Sequence, residues 1–461
     1  MKLKIYGIFL LFLVIVPCFA QREKQGTTAN VISITPDKAV EMAMENNLSL
    51  KQTMLGNEAK RRAAQMPWNV FIPTVELSGT LGRLNIKPEA RNIVLPGLTI
   101  PISPGGPQWV LLGSFQVGLT INIGTFAGMK QTLEEYAAGK IGIEKAKLQL
   151  ERDVRKAYYQ MLLVKEQITL LRESFANAER QVAMAQANYR GGLIPEVSLL
   201  QVQVARENLK PQIDEAENGY RMYMASFAMF LGLPYDAEFN LAPLPGNAEF
   251  IALEAQELIS RAASNKPDTE ELRRSLAALK AQRTALFYSL FTPSLNFGFN
   301  MDPAFQGDPM KGSWSNTDYW KQQQGMFRIT LAWRLNALFP FTREYQSYQA
   351  MKDAVKAMEL GLGQAVQGTE MEVYNIIMQL EKTRTTAEAQ KMTVNLAERT
   401  LRLSETAYRN GLKQFIEVQN DELALRQARL GALQQNYGYF MGLLDLEYAI
   451  GVPFGTLSGR K

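Results

Sequence analysis

The chain contains four stretches in which apolar and polar side chains alternate, arranged as two pairs. In the first pair, Val75, Leu77 and Leu81 alternate with Thr74, Glu76, Ser78 and Thr80, and Phe115, Val117, Leu119, Ile121 and Ile123 alternate with Gln116, Gly118, Thr120, Asn122 and Gly124. In the second, Leu295, Phe297, Phe299 and Met301 alternate with Ser294, Asn296, Gly298, Asn300 and Asp302, and Phe327, Ile329, Leu331, Trp333 and Leu335 alternate with Arg328, Thr330, Ala332, Arg334 and Asn336. A period of two places one class on each face of a strand. Strands are therefore predicted over about 73–85 and 113–125, and over about 293–302 and 326–336.

After each pair the period changes. Leu150, Val154, Ala157, Met161, Val164, Ile168, Leu171, Phe175, Ala178, Val182, Ala185 and Tyr189 step by fours and threes, a heptad seam. It predicts a long helix over about 127–189, some 95 Å at roughly 1.5 Å per residue. The counterpart over about 345–408 carries Thr369, Thr383, Gln390 and Ser404 on its seam. Gly191-Gly192 and Asn410-Gly411 supply the stops. Return helices follow over about 196–232 and 415–450. Stretches of about 35 helical residues, from about Pro36 and about Leu253, precede the strand pairs and end at Pro73 and Pro293. Thr35, Pro36 and Asp37 give the first of them a start signal. The return helix and the opening helix of the second half, laid end to end, match the long helix in length.

The two halves are copies. Tyr189-Arg190-Gly191-Gly192-Leu193 recurs as Tyr408-Arg409-Asn410-Gly411-Leu412 and Gly232-Leu233-Pro234 as Gly451-Val452-Pro453, while Phe71-Ile72-Pro73 recurs as Phe291-Thr292-Pro293. The first repeat is read as 21–252 and the second as 253–461. Loops over 85–112 and 303–324 are read as irregular.

Composition adds an address and removes chemistries. Lys2 and Lys4, the apolar run Ile5–Val16 and the small residues before Gln21 read as a signal peptide over 1–20, cleaved after Ala20. Lipidation at Cys18 is the alternative, disfavoured by Pro17. Cys18 is the one cysteine and there is no histidine, which removes disulfides, thiolate nucleophiles, zinc sites and histidine acid–base catalysis. Paired carboxylates such as Glu134 and Glu135 fall in helical stretches, so no catalytic constellation, no cofactor and no metal site is expected. The net charge of +5 leaves no nucleic-acid footprint.

No later apolar run reaches the length of a membrane helix. The strands, at about 10–12 residues and flanked by Trp68, Phe71, Phe126, Phe287, Phe291, Phe339 and Phe341, have the length and aromatic borders of membrane strands. A half-buried soluble sheet is the alternative. Four strands cannot close a barrel, and an open edge in lipid leaves backbone groups unpaired. Two copies would give eight strands and a filled interior. Three give twelve and a lumen lined by Glu76, Gln116, Asn122, Asn296, Asn300, Arg328 and Arg334.

The doubled unit of helix, two strands, long helix, Tyr-x-x-Gly-Leu turn and return helix ending in Gly-Leu-Pro or Gly-Val-Pro resembles the TolC-type outer membrane efflux protein family over essentially the whole mature chain. The resemblance implies a mainly α fold with a small membrane β-sheet, in which three chains form a 12-stranded β-barrel continued by a long α-helical barrel. It implies a homotrimer in the outer membrane, reaching into the periplasm, with a periplasmic adapter protein and an inner-membrane pump as partners. Gly191, Gly192, Leu193, Ile194, Asn410, Gly411, Leu412 and Lys413 map to the family's periplasmic tip and adapter contact. Glu417, Asn420 and Asp421 map to its aperture gate, where Asn420 departs from the acidic pattern, as Ser198 does in the first copy. A ring of carboxylates from three chains would favour cations. The implied activity is an exit duct for efflux or type I secretion. A periplasmic coiled-coil scaffold is the alternative, and the cargo stays open.

Overall fold

The computed structural model describes residues 32–103, 106, 108–237, 239–243, 250–251, 254–305, 309–311, 316–321, 324–410 and 412–457. The predicted signal peptide with Cys18, the repeat boundary at 252–253 and Gly411 lie outside the described residues.

In chain order the elements are β1 (Ile32–Ile34), α1 (Pro36–Asn46), α2 (Leu48–Gln65), β2 (Thr74–Arg83), β3 (Arg91–Leu95), β4 (Leu98–Ser103), β5 (Trp109–Ile121), α3 (Ile123–Arg190), α4 (Glu196–Glu207), α5 (Leu209–Phe230) and β6 (Phe239–Leu241). The second half follows as α6 (Ala255–Asn265), α7 (Pro267–Phe291), β7 (Ser294–Met301), β8 (Ala304–Phe305), β9 (Trp320–Lys321), β10 (Met326–Ala332), α8 (Arg343–Arg409) and α9 (Phe415–Ile450). The two long helices have 68 and 67 residues, about 100 Å each at ~1.5 Å per residue. No described helix is long and apolar enough to cross a membrane.

Several boundaries differ from the sequence reading, each for a local reason. The strand expected over 113–125 runs from Trp109 to Ile121, because Asn122 caps α3 four residues earlier than the alternation suggests. The Asn122 side chain accepts from the Thr125 N–H at 2.9 Å and the Thr125 hydroxyl accepts from the Asn122 N–H. The return helix expected over 196–232 is two helices. Pro211 has no N–H to offer the Glu207 carbonyl, and the break falls at Asn208. Both opening stretches are also divided. Asn47 ends α1 and caps α2 through the Leu50 N–H at 3.0 Å, and Pro267 opens α7 one residue after α6 is capped by Lys266. The strand expected over 326–336 stops at Ala332, and Arg334 instead precedes a short 3-10 turn at Leu335–Leu338.

Four long strands pair antiparallel in the order β2, β5, β7, β10. The four-strand count is corrected by the two-residue strands β8 and β9, which extend the same sheet from the second loop. The first loop, read as irregular, contains the β3–β4 hairpin, turned at Gly97 with φ +82°. A parallel pair of β1 and β6, absent from the sequence reading, joins the start of the first copy to its end.

Along α3, helix α7 packs towards the sheet, and α5 and α4 pack towards the opposite end, so short helices placed end to end match the long one. Helix α8 pairs with α9, α7 and α6. Most of the core lies midway: Leu150, Val154, Tyr158 and Met161 of α3 meet Phe227, Leu231, Val373, Ile377, Leu446 and Ile450. Tyr158 is fully buried, and its hydroxyl lies 2.8 Å from the Ile34 carbonyl and 2.7 Å from that of Ala242, pinning the β1–β6 pair to α3. Two of the polar residues on the α8 seam are satisfied within the helix, Thr369 and Thr383 donating to the carbonyls of Ala365 and Gln379. Ser404 instead bonds to Asp421 and Lys413, and the Gln390 side-chain oxygen is buried without a hydrogen-bond partner among the described residues.

Candidate channel wall and helical tip

Residues directly opposite in an antiparallel ladder share a face. One face therefore reads Glu76, Gln116 and Asn300 across one row, Thr74, Gly118, Gly298 and Arg328 across the next, and Thr120, Asn296 and Thr330 across a third. The other face reads Val75, Val117, Phe299 and Phe327, then Leu119, Phe297 and Ile329. The sheet curls around its polar face, enclosing a cavity of about 450 Å³ that Glu76, Gln116, Asn296, Asn300 and Arg328 line. Thr120 donates to Asn296 at 2.8 Å, and Ser114 donates to Asp302 at 2.7 Å, so neighbouring strands are joined on this side by side chains as well as backbone.

Five of the seven expected lumen residues are thus brought together. The other two fall elsewhere. Asn122 is the cap of α3 and borders a separate space of about 630 Å³ where the sheet meets the helices, and Arg334 lies beyond the end of β10. On the outer face, Leu77 is 81% and Leu331 72% exposed. Water does not suit such a continuous apolar band; hydrocarbon does. Aromatic groups stand at both ends of it: Phe71 with Phe126, Phe287 with Phe291, and Phe305 with Tyr319 and Trp320.

At the far end, α3 is terminated by Gly192 at φ +70°, and the Leu193 N–H donates to the Asn188 carbonyl at 2.8 Å. Leu193 and Leu412 stand out 76% and 81% exposed. Ile194, expected to join them, turns inward and packs on Val182, Ala185, Leu199, Val202 and Phe415. Lys413 is also drawn in: its Nζ donates to Ser404 at 2.6 Å and to Asp421 at 2.8 Å. The ammonium and hydroxyl together hold the Asp421 carboxyl below its ordinary range.

Of the three expected gate residues, Glu417 is exposed and accepts the Gln414 N–H at 2.8 Å, closing a capping box at the start of α9. Asn420 is exposed, beside a cavity of about 310 Å³ between α3, the α4–α5 joint and α9. Asp421 points into its own hairpin. The sequence reading passed over Glu422. It continues the buried stripe of α9 formed by Phe415, Val418 and Leu425, and a charge in a helix seam was the available signal.

A sheet curled around a polar face, apolar outside and set on two helices of about 100 Å, is an architecture shared with the solved outer-membrane channels CusC and CmeC. Residues 39–222 match the outer membrane efflux protein family. Over 328 residues the chain is 20% identical to nodulation protein T of Rhizobium leguminosarum bv. trifolii, covering 70% of this chain and 67% of that protein. The fold extends further than the sequence match. The CusC channel superposes with a TM-score of 0.71 at 15% identity, over 92% of this chain and 93% of CusC. The Campylobacter jejuni CmeC outer membrane channel gives 0.73 at 14%, over 90% and 85%. The fold is that of these channel proteins.

Proposed function

We propose that the protein is the outer-membrane exit duct of a tripartite efflux or type I secretion system, and that three copies close one passive tunnel. The observation that carries this reading is the unfinished sheet. Strands β2 and β10 are its two free long edges, they run in opposite directions, and the outer face between them is apolar. In lipid those edges must be paired, and β10 of one copy laid against β2 of the next continues the antiparallel order. Four long strands from each of three copies make twelve, wide enough to keep the face of Glu76, Gln116, Asn296, Asn300 and Arg328 as a wetted lumen.

The duct performs no chemistry. Polar side chains in the sheet replace hydration along the path, the helices span the periplasm, and the tip controls access. Leu193 and Leu412, apolar on an exposed end, are assigned to contact with the adapter. Gly191, Gly192, Asn410 and Gly411 are assigned with them to the tip contact, and Glu417 and Asn420 to the mouth of the aperture. Energy and choice of cargo come from the inner-membrane pump. The exposed apolar band on the outer face of the sheet supports the duct over the scaffold alternative.

In detergent the purified protein should have the mass of three chains, and in planar bilayers it should conduct ions. A stable monomer without conductance would overturn the assignment. In pull-downs, Leu193→Asp with Leu412→Asp should abolish capture of the adapter while leaving the trimer intact; undiminished capture would remove both leucines from the contact.

A further inference from the structure

We propose that Glu422 is a proton-operated catch at the tip, holding α9 against α3 when protonated and favouring their separation when ionised. The proposal rests on the reading that the tip opens, and it assigns the position that couples opening to pH.

Glu422 lies where α9 meets the other hairpin. Gln181 of α3 donates its Nε2 proton to the Glu422 carboxyl at 3.0 Å, and Asn177, one turn earlier on α3, is a second hydrogen-bond partner. The stripe it belongs to is otherwise apolar: Phe415 packs with Val182 and Ala185 of α3 and Leu199 and Val202 of α4. No lysine or arginine forms an ion pair with Glu422 among the described residues. Arg426, one turn along α9, is a favourable charge, whereas Glu405 of α8 repels it. Arg180 of α3 is engaged with Asn177, and Arg409 lines a small cavity with Glu405. The α4–α5 side offers only the neutral Asn208 and Gln212. The adjacent Asp421 has a different environment, its charge fully met inside the α8–α9 hairpin by Lys413 and Ser404, so parting the hairpins leaves it unchanged.

Burial, with the repulsion from Glu405, raises the Glu422 carboxyl above its ordinary value of about 4.5. Parting α9 from α3 opens the cavity of about 310 Å³ beside it and returns the carboxylate to water. The closed tip therefore binds the proton more tightly than the open tip. By linkage, acid favours the closed tip, and raising the pH above the ordinary glutamate value favours the open one, by up to about tenfold per pH unit for each chain that titrates.

The test is the open probability of the purified full-length protein in planar bilayers between pH 4.5 and 8. Wild type should close on acidification. Glu422→Gln, a permanent mimic of the protonated form, should stay closed with no pH dependence. Glu422→Asp should keep the dependence, and Gln181→Leu, which removes a donor to the carboxylate, should move the midpoint to higher pH. The last two keep the test decisive if Glu422→Gln fails to assemble. A wild-type slope retained in Glu422→Gln, an unmoved midpoint in Gln181→Leu, or opening on acidification would overturn the catch while the duct stands. A wild type that neither trimerises nor conducts would overturn the duct itself.

Discussion

Asp268 shows how one carboxylate ties three helices together. Burial works against its charge, but Lys145 of α3 at 2.8 Å, Lys266 at 4.0 Å and the Tyr448 hydroxyl of α9 at 3.2 Å outweigh it and hold the carboxyl below its ordinary value. A lowered carboxylate stabilises the fold above its unfolded pKa, about 3.9, and loses that contribution as pH falls through the lowered value. Asp268→Asn should cost about 1 kcal/mol at pH 7, and the melting difference from wild type should shrink as the pH falls below the ordinary carboxylate range. A difference independent of pH would mean that packing, not charge, matters there. Tyr158→Phe removes the hydroxyl that serves two carbonyls and should cost about 1–3 kcal/mol, read by faster amide exchange over β1 and β6. Gly124 has no room for a side chain: a Cβ there would lie 2.4 Å from the Ala285 carbonyl oxygen. Gly124→Ala should part α3 from α7 and lower the yield of folded protein, whereas Gly128→Ala, where a Cβ meets nothing within 4 Å, should not.

At the scale of elements, strand and helix are set by different signals. The alternation that makes β5 continues through Ile123, yet the Asn122–Thr125 box turns the chain into α3 before the alternation ends. Caps and prolines decided every break that hydrophobic period alone missed, at Asn47, Asn208 and Lys266, because period reports which face is buried and says little about where a helix stops. The two faces of β2 give a direct comparison. Leu77→Arg places a charge on the apolar side and should cost about 2–4 kcal/mol near the bilayer midplane, with loss of protein from outer-membrane fractions. Ser78→Arg, on the polar side, should insert normally. Equal insertion of the two would contradict the assignment of faces.

For the whole molecule, two helices of about 100 Å carrying strands of about 3.3 Å per residue should give a particle roughly 130 Å long, measurable by electron microscopy. Much of this form was legible in the sequence: the four long strands, both long helices and the turn at Gly191-Gly192 follow from local periodicity and backbone chemistry. That Glu76, Gln116, Asn296, Asn300 and Arg328 share the polar face of the sheet was readable for the same reason, since period two fixes the face. What only the tertiary structure decided depends on residues far apart in the chain. The β1–β6 pair needed Tyr158 to join Ile34 to Ala242. The inward turn of Ile194 needed Phe415. The pairing of Asp421 with Lys413 and Ser404 and the setting of Glu422 against α3 were decided by packing. Periodicity assigns a residue to a face of its own element, and the partner that face meets is fixed only when elements distant in sequence pack together.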